Sequence, residues 1–198
     1  MNDRKSKKSA ISLISLILVV CVAVGGVLAI LKSYANQLIN VFEPRHVTTT
    51  VVEEFDGEVK QNVAIKNTGN TDAWIRAAVV INWVDELGNV YGIPPVEGTD
   101  YTIVYDLANG WVKGNDGFYY WTKSVKSVEQ DSTNCTTGVL IKTCSPVQPS
   151  TAPDGYTLSV EIVGSGIQSV PARVFNSNWG ASSGLTATDN STDLTKGG

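Results

Sequence analysis

Four groups of residues in this 198-residue chain have side chains that can carry chemistry. The first is a run of carboxylates, Glu53, Glu54, Asp56 and Glu58, around the turn signal Asp56-Gly57. Hard cations take several oxygen ligands, so such a run can hold Ca²⁺. A solvated acidic edge that discourages stray strand pairing has the same composition. A second oxygen-rich stretch, DLANGWVKGNDG, supplies Asp106, Asn109, Asn115 and Asp116, without the spacing of an EF-hand loop. The next group is Cys135 and Cys144 in NCTTGVLIKTC. In an oxidising compartment these suit a local disulfide, stabilising by about 3 kcal/mol. Two free thiols or a metal pair are the alternatives, although the spacing is too wide for a CxxC knuckle. Last are the aromatics Trp111, Phe118, Tyr119, Tyr120 and Trp121, which fit either a carbohydrate-binding platform or a core stacked across strands.

Around these groups the usual catalytic partners are missing. The only histidine, His46, lies in a β-branched run and reads as a solvated strand residue. A triad or a histidine zinc site needs more partners. HExxH, GxSxG and phosphate-binding glycine loops are absent from the sequence. The expectation is a protein that is not an enzyme, with no catalytic residue, resident metal or cofactor.

The N-terminus reads as a targeting segment. MNDRKSKKS is basic, and Ala10 to Ile30 carries no charge. A basic n-region, an apolar h-region and small residues near its end define a secretory signal. Val27-Leu28-Ala29 fits the small-x-small rule, with Val27 and Ala29 as the recognised positions and cleavage after Ala29. An uncleaved anchor is the rival, since about 20 apolar residues span a bilayer. Cys21 in LVVC follows Val20, not a small residue, so it reads as a core cysteine of an apolar helix rather than a lipidation site. The full chain has 15 Lys+Arg, 19 Asp+Glu and a net charge of −4. Cleavage removes Arg4, Lys5, Lys7, Lys8 and Asp3, leaving 11 bases against 18 acids, or −7. That charge argues against nucleic acid and anionic membranes as partners, with membrane contact only through residues 10–30.

After the leader the pattern is β. RHVTTTVVEEF is β-branched. VAIK and AWIRAAVVINW are joined by the turn cluster NTGNTD and read as a hairpin. In the second strand Ile75, Ala77, Val79, Ile81 and Trp83 share one face, while Trp74, Arg76, Ala78, Val80 and Asn82 share a mixed one. DELGN turns the chain, Pro94-Pro95 marks an edge loop, and YTIVYD is a short strand. In YTLSVEIV, Tyr156, Leu158, Val160 and Ile162 face inward. A short helical turn is expected after Pro171. The expected organisation is a signal or anchor (1–29), an N-terminal segment able to act as a donor strand (30–43), a β-sandwich (44–180) and a disordered polar tail (181–198). The fold class is all-β, an antiparallel sandwich of about 7–9 strands preceded by an N-terminal apolar helix.

The stretch VAIKNTGNTDAWIRAAVVINW resembles the secreted TasA/camelysin-like proteins of Gram-positive bacteria, which are exported with a SipW-type signal peptide. PPVEGTDYTI, GNDGFYYW and APDGYTLSVEIVGSGIQ extend the resemblance over most of residues 22–180. It implies a jelly-roll-like sandwich, export to the extracellular space or cell surface, processing by a signal peptidase, and a place in a biofilm matrix. It also implies fibres, in which the N-terminal segment of one subunit completes the sheet of the next. Here that segment contains Leu38, Ile39, Asn40, Val41 and Phe42, whose alternation permits strand pairing. Expected partners are copies of the same chain or other surface proteins. The alternative is a membrane-anchored binding module for glycan or protein, using the aromatics at 118–121.

Overall fold

The computed structural model describes residues 45–197. Eight strands form two four-stranded antiparallel sheets. The first sheet contains β1 (Thr49–Phe55), β2 (Lys60–Asn67), β4 (Tyr101–Tyr105) and β7 (Ile141–Pro146), in the order β1-β2-β7-β4. The second contains β3 (Ala73–Val84), β5 (Trp111–Lys113), β6 (Tyr119–Trp121) and β8 (Thr157–Gln168), in the order β5-β6-β3-β8.

The sheets pack face to face. Val63, Ile65 and Ile141 from the first meet Ile75, Ala77, Trp111 and Tyr119 from the second. Period-2 alternation explains this, because the inward-facing set of each strand is apolar. Asp56 and Asp85 fix two turns at the same end. Asp56 Oδ1 accepts from the N–H groups of Glu58 (3.0 Å) and Val59 (2.8 Å). Asp85 Oδ1 accepts from those of Leu87 (2.9 Å) and Asn89 (2.8 Å). These Asx-type bonds satisfy backbone donors that the tight turn strands.

Three expectations are corrected. VAIKNTGNTDAWIRAAVVINW does not form a hairpin: β2 pairs with β1 and β7, while β3 pairs with β6 and β8. NTGNTD is an arch carrying the chain from one sheet to the other. Its keystone is Asn67, fully buried, whose Nδ2 donates to the carbonyls of Thr71 (2.9 Å), Val125 (3.2 Å) and Lys126 (3.2 Å). Alternation shows that two segments are strands, but not that they pair with each other.

The disulfide does not form: Cys135 and Cys144 are both free and buried. Cys144 lies opposite Lys60, at the start of β2. Cys135 accepts from the N–H of Asn67, at its end. Seven residues of extended strand separate those partners, about 23 Å, far beyond the reach of a disulfide. The segment between the cysteines runs along β2 instead of closing on itself, with Leu140 donating to Val63 and Thr137 to Ile65. Burial pushes the Cys144 thiol up to about 11. Neither residue is therefore expected to react with iodoacetamide at neutral pH until denaturant is added, as site-resolved mass spectrometry of the alkylated chain would show.

The tail is ordered. Residues 171–197 cover the outer face of the second sheet. The helical turn after Pro171 forms and continues as three contiguous helical segments, Arg173–Phe175, Asn176–Gly180 and Ala181–Ser183. A small hairpin follows, β9 (Leu185–Thr186) with β10 (Thr195–Lys196). Phe175, Trp179, Leu185, Ala187 and Leu194 bury Trp74 and Tyr120 in a second core. The mixed face of β3 thus divides: Trp74 lies under this cap, while Val80 is exposed.

Candidate functional site

The backbone pattern of β3 identifies the open edge of its neighbour. Trp83 O accepts from Tyr91 N–H, and Ala73 exchanges both bonds with Val125. Odd-numbered residues of β3 therefore turn their backbone groups away from β8. The register between the two strands is unbroken from Ala73↔Gln168 to Val84↔Thr157. It follows that Leu158, Val160, Ile162 and Gly164 direct their N–H and C=O groups away from β3, along the free edge of β8. Thr49 Oγ1 donates to Gly164 O (3.1 Å), in agreement with that direction. No strand among the described residues pairs with this edge.

The inward side chains of β8 border an incompletely filled core. Val160 and Ile162 pack against the central cluster yet remain half-buried, as do Val79 and Ile81 on β3. The opposing strand across the sandwich is β1, which pairs only with β2 among the described residues. At one end β1 closes on β8. A Cβ at Gly166 would lie 2.5 Å from Val47 Cγ1 and 3.0 Å from Thr49 Cγ2, so only glycine permits this approach. Toward the other end the β1–β2 register shifts between Val52 and Glu54, and such a bulge bends a strand. There β1 and β8 frame a groove of about 720 Å³. Trp83, Leu158 and Val160 line it, together with Phe55, which is 57% exposed. Glu58, Lys60 and Glu161 supply charge at the same groove. Lys60 Nζ sits 2.6 Å from Glu53 Oε1 and 5.0 Å from the centre of the Phe55 ring. We call this the groove end of the sandwich and the opposite one, with the β2–β3 arch, the arch end.

The residues singled out by chemistry in the sequence mostly serve the fold. Asp56 caps its turn, and those two backbone donors hold its carboxyl below the usual range. Glu53 pairs with Lys60, and Glu54 is exposed. No group of metal-binding side chains occurs among the described residues. Asp106 bonds Asn109 and faces Lys142 at 3.3 Å. Asp116 accepts from the Tyr120 hydroxyl (2.7 Å) and lies 3.9 Å from Arg76, while Asn115 N–H donates to Ser183 O. His46 is exposed and uses its backbone, exchanging bonds with Asn70.

The aromatic platform is taken up by packing. Tyr119 stacks on Tyr105 with centroids 4.8 Å apart, and Trp121 packs on Trp111 at 5.5 Å. Trp111 donates to Gly138 O, and Tyr120 is fully buried. Phe118 covers the Arg76 guanidinium at 4.0 Å, and Trp179 covers it at 4.4 Å. This cation–π stack pins the cap to the sheet. None of these rings is an exposed large hydrophobic surface. The segment Leu38, Ile39, Asn40, Val41 and Phe42, the cleavage residues Val27 and Ala29, and Cys21 lie outside the described residues. Among those described, no helix is long and apolar enough to cross a membrane.

Reading the sequence for chemistry missed Phe55, Gly164 and Gly166. Glycine alternating within the strand VEIVGSGIQ was the available signal, since glycine inside a strand marks a close backbone approach. No protein-family model, curated protein or solved structure matches this chain.

Proposed function

We propose that this chain is an exported structural subunit of the cell surface or its matrix, assembled by strand donation into a jelly-roll-like sandwich. The observation that carries the reading is the gap between β1 and β8, where an open strand edge lies beside half-buried Leu158, Val160 and Ile162. An extended apolar segment entering there gains main-chain hydrogen bonds from β8 and buries its alternate side chains. Burial of each larger apolar side chain contributes about 2 kcal/mol.

Topology supports the same reading. Four of the six adjacencies in the two four-stranded sheets, β2–β7, β7–β4, β8–β3 and β3–β6, are those of a jelly roll, whereas β1 pairs with β2 and β5 with β6. In that fold the first strand lies beside the last, and here no strand among the described residues takes the place beside β8. Leu38 to Phe42 has the length and alternation to fill it in a second copy. A donated strand also protects an edge that otherwise invites unspecific pairing. The glycan-module alternative has no comparable feature, because its aromatics are buried or half-buried.

The test is negative-stain electron microscopy of residues 30–198 beside the same protein lacking 30–43. Filaments in the first and monodisperse particles in the second are expected. Filaments of equal length and number in both would overturn strand donation.

A further inference from the structure

We infer that assembly includes a second contact, in which the loop 85–100 at the groove end of one copy seats against the arch end of the next. This rests on the strand-donation reading and extends it to the surfaces flanking the donated strand.

Chain direction leads to it. β8 runs from the groove end to the arch end, so a strand pairing antiparallel with it runs the other way. Antiparallel pairing is the more stable arrangement per residue. The arch end is closed by Thr49 against Gly164 and Val47 against Gly166. The donated strand therefore leaves by the groove end, and Phe42 is its last residue. Arg45 of the donating copy is three residues further on, within about 10 Å of the acceptor's groove. Arg45 leads into β1 at the arch end of its own domain, where the neighbouring His46 bonds the arch residue Asn70. Donation thus brings the arch end of one copy to the groove end of another.

The surface waiting there is shaped for contact. Leu87 is 87% exposed and Ile93 66%, with Val90 and Val96 also in solvent. An exposed apolar cluster of this kind marks an interaction surface. The loop is already ordered. Asp100 Oδ2 accepts from Val96 N–H (2.6 Å), and its Oδ1 accepts from the Thr151 hydroxyl (2.5 Å). Tyr91 packs on Tyr156 with ring centroids 5.0 Å apart. Little conformational entropy remains to be lost on docking.

The three-residue tether from Phe42 to Arg45 selects a second copy as the occupant, and charge disfavours other partners. Glu58, Glu86, Glu97, Asp154 and Glu161 are exposed at the groove end, where Lys60 is tied to Glu53. The arch end presents Arg45 and Lys66, Lys126 held by Asp72 at 2.8 Å, and the exposed apolar side chain of Val170. The acidic face repels anionic lipid and nucleic acid. Because the two surfaces differ, the contact is head-to-tail and propagates without closing.

Cross-linking tests this in the complete chain carrying Cys21→Ser, since Cys135 and Cys144 are buried. One batch carries Arg45→Cys and another Ile93→Cys. They are mixed, allowed to assemble and treated with a short bis-maleimide. A control mixture replaces Ile93→Cys with Asn178→Cys, on the cap. The expected result is about tenfold more cross-linked dimer from the 45/93 mixture, because docking raises the local concentration of the two thiols to the millimolar range. Equal cross-linking in both mixtures, with filaments still dependent on residues 30–43, would overturn this contact and leave strand donation standing. Failure of the unsubstituted chain to assemble at all would remove both.

Discussion

Removing residues 181–198 is expected to lower the unfolding temperature by about 10–20 °C, and not to leave stability unchanged as the loss of a disordered tail would. Leu185, Ala187 and Leu194 are each less than a tenth exposed and pack against Trp74, Tyr120, Phe175 and Trp179. Re-exposing two leucines and an alanine forfeits about 4–5 kcal/mol of apolar burial. The loss also frees Asn176, whose side chain donates to Ala187 O (2.9 Å) and accepts from Ala187 N–H (2.9 Å). Trp74 and Tyr120 would then keep Phe175 and Trp179 as cover on the outer side of the second sheet. Differential scanning calorimetry of the complete and shortened chains is the measurement. Coincident transitions would show that the cap contributes nothing. A second variant, Leu194→Ser, keeps the chain length and should give roughly a third of the loss, about 1.5–2 kcal/mol.

Asn67→Ala is expected to destabilise the domain by about 3 kcal/mol. Its amide holds three carbonyls from two different loops, and its Oδ1 accepts from Gly69 N–H (3.0 Å). Alanine leaves all four groups without this partner; Val125 O keeps the Ala73 N–H, while a buried group left unsatisfied is more damaging than a lost surface bond. Asn67→Asp separates hydrogen bonding from size. The carboxylate has the shape of the amide but no donor, so it places charge against three carbonyl oxygens. Both burial and those carbonyls raise its folded-state pKa above the unfolded value of about 3.9. The protonated form regains one donor, so the deficit of the Asp variant should shrink as pH falls through the raised folded pKa. Urea denaturation at pH 7 and pH 4.5 would show it. A deficit equal at both values, or a stable Ala variant, would contradict the keystone role.

Both expectations concern residues whose importance the sequence only half disclosed. Asn67 was legible as a turn residue, because Asn-Thr-Gly-Asn is turn chemistry. That its side chain joins two sheets was not legible, because Val125 and Lys126 approach only after the chain has passed through β4, β5 and β6. The tail was misread for a related reason. ASSGLTATDNSTDLTKGG has a polar composition and no period. Of its three apolar contributors, Leu185 and Ala187 share strand spacing but Leu194 lies seven residues further on, and they find one surface because the chain loops back over Trp74. The cysteines show the limit of proximity in sequence. Nine residues apart, they lie at opposite ends of β2 because the chain between them is extended rather than closed.

Local periodicity and local chemistry settled a good part of this protein. They set an all-β domain, the inward face of β3 from Ile75 to Trp83, the turns at Asp56-Gly57 and Asp85, the helical turn after Pro171, and the inward set of β8. Each follows from side-chain alternation or from a turn residue bonding its own neighbours, so no distant partner is needed. Which strands share a sheet, where the aromatics go, and where the core stays open were decided only by tertiary structure. The arch at Asn67 sends β3 to the second sheet. Gly164 and Gly166 let β1 close at the arch end, and the bulge after Val52 turns it away at the other. The groove between β1 and β8 is the difference between those two effects, and neither is written in the pattern of any single strand.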